Sequence, residues 1–302
     1  MIGPVIASGC SEERRFPVSD PILLDLVDVF GSAPLKGNPL AVVRGADGWS
    51  GEQMLRLTQW LGFSETTFLL PPTDPAADYR VRIFYPAGEL PFAGHPTLGT
   101  CHAWLEAGGK PGRDGVVVQE CGVGLVEVKQ DGAMLSFCAP PLLKGGELSA
   151  EERAEAARIA GVEEGAIVSA VHADNGPGWK MLRLRSAEDV LAAKPLSRAP
   201  VPTDIGLAGP CAEGSDAAWE IRAFFVNDKG LLVEDPVTGS FNAAAAMYLF
   251  GTGLARESYV AAQGRMVGAD GRVFCSVDKN NAVWVGGRVA TISSGGVVPS
   301  FG

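Results

Sequence analysis

Glu65, His95, Asp235 and Ser240 are the residues of this 302-residue sequence whose types and settings suit proton transfer and anion binding. Glu65 stands in Phe63-Ser64-Glu65-Thr66-Thr67-Phe68. A carboxylate desolvated among aromatic and threonine neighbours has a pKa lifted toward the range useful to a general acid or base. An exposed strand glutamate is the plainer reading of the same residues. His95 heads a helix-like stretch, where the helix dipole disfavours imidazolium and leaves a neutral ring able to donate one hydrogen bond and accept another. Ser240 follows Gly239 at a second such start, and the free amides of helix starts favour anions. Serine and proline also occur there for capping alone. Asp235 precedes Pro236, a common turn opening.

Three of these four residues belong to a motif written twice. Glu89-Leu90-Pro91-Phe92-Ala93-Gly94-His95-Pro96 returns as Glu234-Asp235-Pro236-Val237-Thr238-Gly239-Ser240-Phe241, and one offset of 145 residues (234 minus 89) aligns Glu with Glu, Pro with Pro and Gly with Gly. Each copy runs into a helix-like stretch, Thr97 to Ala107 and Asn242 to Thr252, closed by Gly108 and Gly253. Two similar halves facing each other would bring both helix starts to one cleft. The copies differ where chemistry is carried: Leu90 stands opposite Asp235, so an acid occupies only one copy. Of the other histidines, His102 reads as packed on the helix and His172 as an ordinary strand end.

The elements that must position these residues are mostly strands. Ile22 to Phe30 and Leu40 to Val43 flank turn chemistry at Lys36-Gly37-Asn38-Pro39 and predict a hairpin. Ser50 with Gln53 predicts a capped helix over about 50 to 62, with Met54, Leu55, Leu57, Trp60 and Leu61 at helical spacing. Thr66 to Leu70, Tyr79 to Tyr85, Val116 to Gln119, Leu125 to Val128 and Met134 to Phe137 read as strands. Ser149 with Glu152 opens a helix to Ala160, followed by strands at Ile167 to Val171 and Met181 to Leu184 and a short helix at Ala187 to Ala193. Trp219 to Val226 and Gly230 to Val233 lead into the second motif, and Val260 to Gln263, Val273 to Val277 and Ala282 to Ile292 close the chain as strands. Many short strands with one strong apolar helix per half predict two antiparallel-rich β units, each wrapped on a central helix. The expected divisions are an extension over 1–20, a first half over 21–145, and a second half over 146–302 whose last strand pairs back with the first.

The formal net charge of −10, with no basic run, argues against nucleic acid as a partner. Six scattered cysteines without a CxxC pair, and only three histidines, give no metal-ligand spacing and read as reduced thiols of a cytoplasmic protein. Val237 to Ala255 is uncharged, but its glycines and Asn242 make it a buried helix and not a membrane span. Residues 1–20 lack the apolar core of a signal peptide and read as a flexible extension.

Taken together, the motifs resemble the phenazine-biosynthesis PhzF-like proteins, within the diaminopimelate epimerase and proline racemase fold group. The resemblance rests on Asp28-Val29-Phe30, Gly37-Asn38-Pro39-Leu40-Ala41-Val42, Ser64-Glu65-Thr66-Thr67-Phe68, both copies of the doubled motif and Gln263-Gly264. It implies an α+β fold of two pseudo-symmetric β-barrel-like halves, each around a central helix, with the site between them, and usually a homodimer. It also implies a cofactor-independent isomerase. In the family's trans-2,3-dihydro-3-hydroxyanthranilate isomerase a glutamate moves a proton between carbons, helped by an aspartate, a histidine and a serine. Those roles fall on Glu65, Asp235, His95 and Ser240, with Ser64, Gly94 and Gly239 as contacts to a small, carboxylate-bearing substrate. The two helix-start cysteines of the racemases are replaced here by Gly94-His95 and Gly239-Ser240, which argues against two-thiol chemistry. After Ser240 the best-known members continue Ala-His-Cys, whereas this chain has Phe241-Asn242-Ala243, and a phenylalanine there is expected to narrow or reshape the site. A non-catalytic binding or scaffold protein and a single-carboxylate racemase or epimerase are the alternatives.

Overall fold

In a computed structural model the chain is described over residues 21–199, 201–227, 229–299 and 301; the extension expected over residues 1–20 lies outside these. The first half runs β1 (Ile22–Val29), β2 (Asn38–Arg44), α1 (Gly51–Leu61), β3 (Thr66–Leu70), β4 (Tyr79–Tyr85), β5 (Gly88–Leu90), α2 (Gly94–Glu106), β6 (Val116–Cys121), β7 (Gly124–Asp131) and β8 (Met134–Cys138). After α3 (Ala150–Ala160) the order repeats as β9 (Ile167–His172), β10 (Lys180–Leu184), α4 (Ala187–Ala192), β11 (Asp204–Pro210), β12 (Trp219–Val226), β13 (Leu232–Glu234), α5 (Gly239–Gly251), β14 (Ser258–Gln263), β15 (Gly271–Val277) and β16 (Val283–Val298).

Strands β1-β2-β3-β4-β6-β7-β8-β16 pair in that order, and β16 also pairs β1, so they close into a ring. From β16 the sheet continues through β15-β14-β12-β11-β10 to β9. The segment joining the halves bridges to the β9 hairpin, at Lys144 with Asp174 and at Glu147 with Val171. Most pairs are antiparallel. The parallel ones are β2 with β3, β4 with β6, β10 with β11 and β12 with β14, and their connections carry α1, α2, α4 and α5 respectively. Parallel neighbours need a long crossover, and a helix supplies it.

The two central helices, α2 and α5, are buried inside their halves. Leu98 and Cys101 of α2, and the run Ala243 to Ala246 of α5, are fully buried. A helix apolar all round belongs inside a core, and alanines let strands approach it closely. These helices begin at Gly94 and Gly239, one turn earlier than the apolar stretches suggested. Gly108 and Gly253 follow their ends with positive φ (92° and 74°), as glycine permits.

The capping boxes expected at Ser50/Gln53 and Ser149/Glu152 both form. Met54, Leu57 and Thr58 of α1 are buried, but Trp60 is 81% exposed. Six residues after Met54, Trp60 is turned about 240° around the axis at roughly 100° per residue, away from the buried face. Strand β11 has no counterpart in the pattern reading, because Gly206, Gly209 and Pro210 hide it.

Candidate functional site

The two central helices meet at their first residues. A methyl group on Gly94 would stand 3.2 Å from the Cα of Gly239, and one on Gly239 would stand 3.1 Å from both the Cα of Gly94 and the backbone nitrogen of His95. Only glycine allows this approach, which brings the positive ends of two helix dipoles together. The residues before these starts, Ala93 and Thr238, give no side-chain cap to the first-turn amides. The capping explanation for Ser240 is therefore set aside: it lies inside the first turn, at the position 145 residues after His95.

Glu65 enters this junction from the segment between α1 and β3. The turn at Gly62, with φ of 71°, ends α1 and redirects the chain, while Thr66 is locked into the sheet between Ala41 and Phe84. Glu65 Oε2 lies 3.5 Å from His95 Nε2, and both atoms are buried without a hydrogen-bond partner. The Glu65 side chain retains 18% exposure, so the exposed-strand alternative does not hold. Burial first, and the nearby negative charge of Asp235 second, push its pKa up to about 8. Burial pushes His95 down to about 3, leaving a neutral imidazole. Ser64 adjoins Glu65 and is half-buried.

Asp235 follows β13 and is held from several sides. Its backbone N–H donates to Ala223 O, Asn38 Nδ2 donates to Oδ1 at 3.0 Å, and the Thr238 hydroxyl donates to Oδ2 at 2.6 Å. Gln263 Nε2 donates to the Thr238 hydroxyl at 2.9 Å and so turns the hydroxyl proton toward Asp235. Burial raises the Asp235 pKa to about 6 against the opposing effect of these bonds. Asp235 thus ionises before Glu65, and Glu65 titrates against its charge.

The amide of Gln263 also accepts from the Thr238 N–H and from Asn242 Nδ2, tying α5 to β14. The first half has a counterpart in Gln119 Nε2, which donates to Thr97 Oγ1 on α2. Thr97 and Asn242 are 145 residues apart. Asn242 is therefore a helix anchor. Phe241 is fully buried, its ring packed on Gly206 and 5.2 Å from the Trp179 ring. It fills core space and does not narrow the cleft directly. Ser240 Oγ accepts from Trp179 Nε1–H at 3.1 Å, and its carbonyl accepts from Asn175 Nδ2 at 2.8 Å.

The duplicated glutamates have a different task. Glu89 forms a fork with Arg82 at 2.8 and 2.7 Å, and Glu234 forms the same fork with Arg222 at 3.0 and 2.7 Å. Each pins the short strand that delivers the chain to its central helix.

Sequence reasoning did not single out Thr238, Asn175 or Trp179, and it read Asn38 as turn chemistry. The Gly37-Asn38-Pro39 signal was visible, but its partners lie 197 and 199 residues away. His102 hydrogen-bonds Thr291 and His172 approaches Glu152, so neither joins the site. Among the described residues no cluster suits a metal ion, and no helix is long and apolar enough to cross a membrane.

Two α+β halves with paired helix starts at their junction define the epimerase-like class of protein. The family described as phenazine biosynthesis-like protein matches residues 27–295, and the chain belongs to it. It is similar to "Antisense-enhancing sequence 1" of Schizosaccharomyces pombe, with 35% identity over 89% of this chain and 96% of that protein. It is also 34% identical to the trans-2,3-dihydro-3-hydroxyanthranilate isomerase of Pseudomonas aeruginosa, over 74% of this chain and 78% of that protein. A solved structure described as a predicted epimerase of Pseudomonas aeruginosa superposes with a TM-score of 0.75 at 26% identity, covering 93% of this chain and 100% of that one. The chain is an isomerase of this family.

Proposed function

We propose that the protein shifts a proton between carbons of a small carboxylate-bearing substrate, with Glu65 as the acid/base group. The observation that carries this reading is the Glu65 carboxyl at the junction of two helix starts, with a pKa of about 8. A group that titrates near neutrality can both take and return a proton. In the forward step the Glu65 carboxylate removes a proton from a carbon next to a carbonyl, carboxylate or conjugated system. The freed electron pair moves into that system, and Glu65-COOH returns the proton to another carbon. Atoms and charge balance within the substrate and one carboxyl group, so the cycle calls for no cofactor.

Neutral His95 orients a substrate hydroxyl or amine, and Asp235 accepts a hydrogen bond from the same group. Ser240 and the first-turn amides around Gly94 and Gly239 hold the carboxylate, with Ser64 at the edge. The thiols do not compete for the base role. Cys101 lies within α2, and burial pushes its pKa up to about 12.

Trans-2,3-dihydro-3-hydroxyanthranilate is the first compound to try, followed by cyclic and acyclic amino and hydroxy acids in heavy water. The reading expects deuterium at a product carbon. A compound that raises the melting temperature but never exchanges supports a binding protein instead. Inversion at one carbon, with no change in connectivity, supports a single-base epimerase.

A further inference from the structure

The loop joining β9 to β10 grips Ser240 from outside its own helix. Asp174 Oδ1 braces this loop by accepting the N–H groups of Gly176 at 2.7 Å and Gly178 at 2.9 Å. From it, Asn175 Nδ2 reaches the Ser240 carbonyl and Trp179 Nε1 reaches the Ser240 hydroxyl. Trp179 is 3% exposed, and the Phe241 ring beneath it sits in the space left by Gly206.

An indole N–H only donates, whereas a serine hydroxyl donates once and accepts twice. The bond from Trp179 therefore occupies a lone pair of Ser240 Oγ, and the hydroxyl proton must point elsewhere. Among the described residues no protein acceptor takes it. The same logic operates beside it, where Gln263 turns the Thr238 proton onto Asp235.

We infer that Trp179 is a positioning residue that fixes Ser240 as a hydrogen-bond donor toward the substrate's carboxylate, and so sets the preference for a carboxylate over a neutral carboxamide. This rests on the carboxylate reading of the cleft. A hydroxyl held as a donor gains more from a charged carboxylate oxygen than from a neutral carboxamide oxygen, whereas a hydroxyl free to rotate spends part of its time with its proton turned away from both. Phe241 supports the indole in this position.

The test uses 3-hydroxyanthranilate and its carboxamide as paired ligands in calorimetric titrations. The wild type should bind the carboxylate at least tenfold more tightly than the carboxamide. Trp179→Phe keeps the ring and removes the N–H. It should lose about tenfold for the carboxylate and little for the carboxamide, the range expected for a hydrogen bond to a charged group. Ser240→Ala removes the hydroxyl without touching the indole, and Trp179→Phe should then add no further loss. Near-UV circular dichroism checks that each variant keeps its packing.

An unchanged preference in Trp179→Phe, an additive loss in the double variant, or a wild type with no preference overturns the inference. The base reading stands or falls separately, because Glu65→Gln should retain the carboxylate preference while losing deuterium exchange.

Discussion

Glu65 Oε2 and His95 Nε2 stand 3.5 Å apart, each buried and without another partner, yet they are not an ion pair. With His95 titrating near pH 3 and Glu65 near pH 8, both are neutral over the range between. Below about pH 8 a proton rests on Glu65 beside a ring that does not take it, and the ionised fraction, which grows as pH approaches 8, is the form able to act as a base.

That arrangement makes stability depend on pH in a defined direction. The folded-state pKa of Glu65 lies above its ordinary value of 4.5, so its protonated form favours folding fully below about pH 4.5. The contribution is lost as pH rises through about 8. Glu65→Gln removes this dependence. It should melt close to wild type at pH 5 and about 5 °C or more above it at pH 9 in scanning calorimetry. Parallel curves for the two proteins across that range would contradict the raised pKa.

The charge of Asp235 is the second cause of the Glu65 shift, after burial. Asp235→Asn should therefore move the Glu65 titration below pH 8 while leaving it above 4.5. Carbon-13 NMR of the labelled carboxyl reads this directly. No movement, or movement upward, would show that the two acids do not interact.

Gly239→Ala places a methyl group 3.1 Å from backbone atoms of Gly94 and His95, and backbone cannot swing aside. The helix starts must separate by a few tenths of an ångström. A modest stability loss of about 1 to 3 kcal/mol in urea titrations is expected. Binding of a carboxylate-bearing ligand that the wild type takes should weaken about tenfold or more as the paired amides move apart. Undiminished binding would remove this junction from the site.

The two arginine forks should differ in strength. The side chains of Arg222 and Glu234 are 4% and 9% exposed, and Arg222 also donates to the carbonyls of Val190 and Ala193. Arg82 and Glu89 are 31% and 42% exposed. Removing one partner of a buried pair strands a charge and costs about 3 to 5 kcal/mol. A surface pair contributes about 0 to 1 kcal/mol. Glu234→Gln should therefore destabilise far more than Glu89→Gln, and equal losses in denaturant titrations would show that burial does not set their value.

The two-half architecture was legible because its signals are local. The doubled motif, the Ser50 and Ser149 caps and the apolar stretches of α2 and α5 each sit within about a dozen residues. What escaped depends on distant partners. Asp204 to Pro210 reads as a broken segment until Phe241 is seen to need Gly206, and Asn38 reads as a turn until Asp235 arrives beside it. Trp60 shares the helical spacing of Met54 and Leu57, but spacing without its angle does not tell that it faces outward. Phe241 stands beside Ser240 in sequence and is expected to narrow or reshape the site, but adjacency says nothing of which side of a helix a residue takes, and its ring is fully buried. Glu65, His95, Asp235 and Ser240 could be chosen by type and motif, but the pKa shifts of Glu65, His95 and Asp235 come from burial that only the assembled halves create.

The most direct test of proton transfer by Glu65 is deuterium incorporation in heavy water, compared between wild type and Glu65→Gln on a substrate that the wild type turns over. The wild type should place solvent deuterium at the product carbon, whereas the variant should bind the same compound and incorporate at least a thousandfold more slowly. Exchange retained at the wild-type rate in Glu65→Gln would remove Glu65 from the reaction.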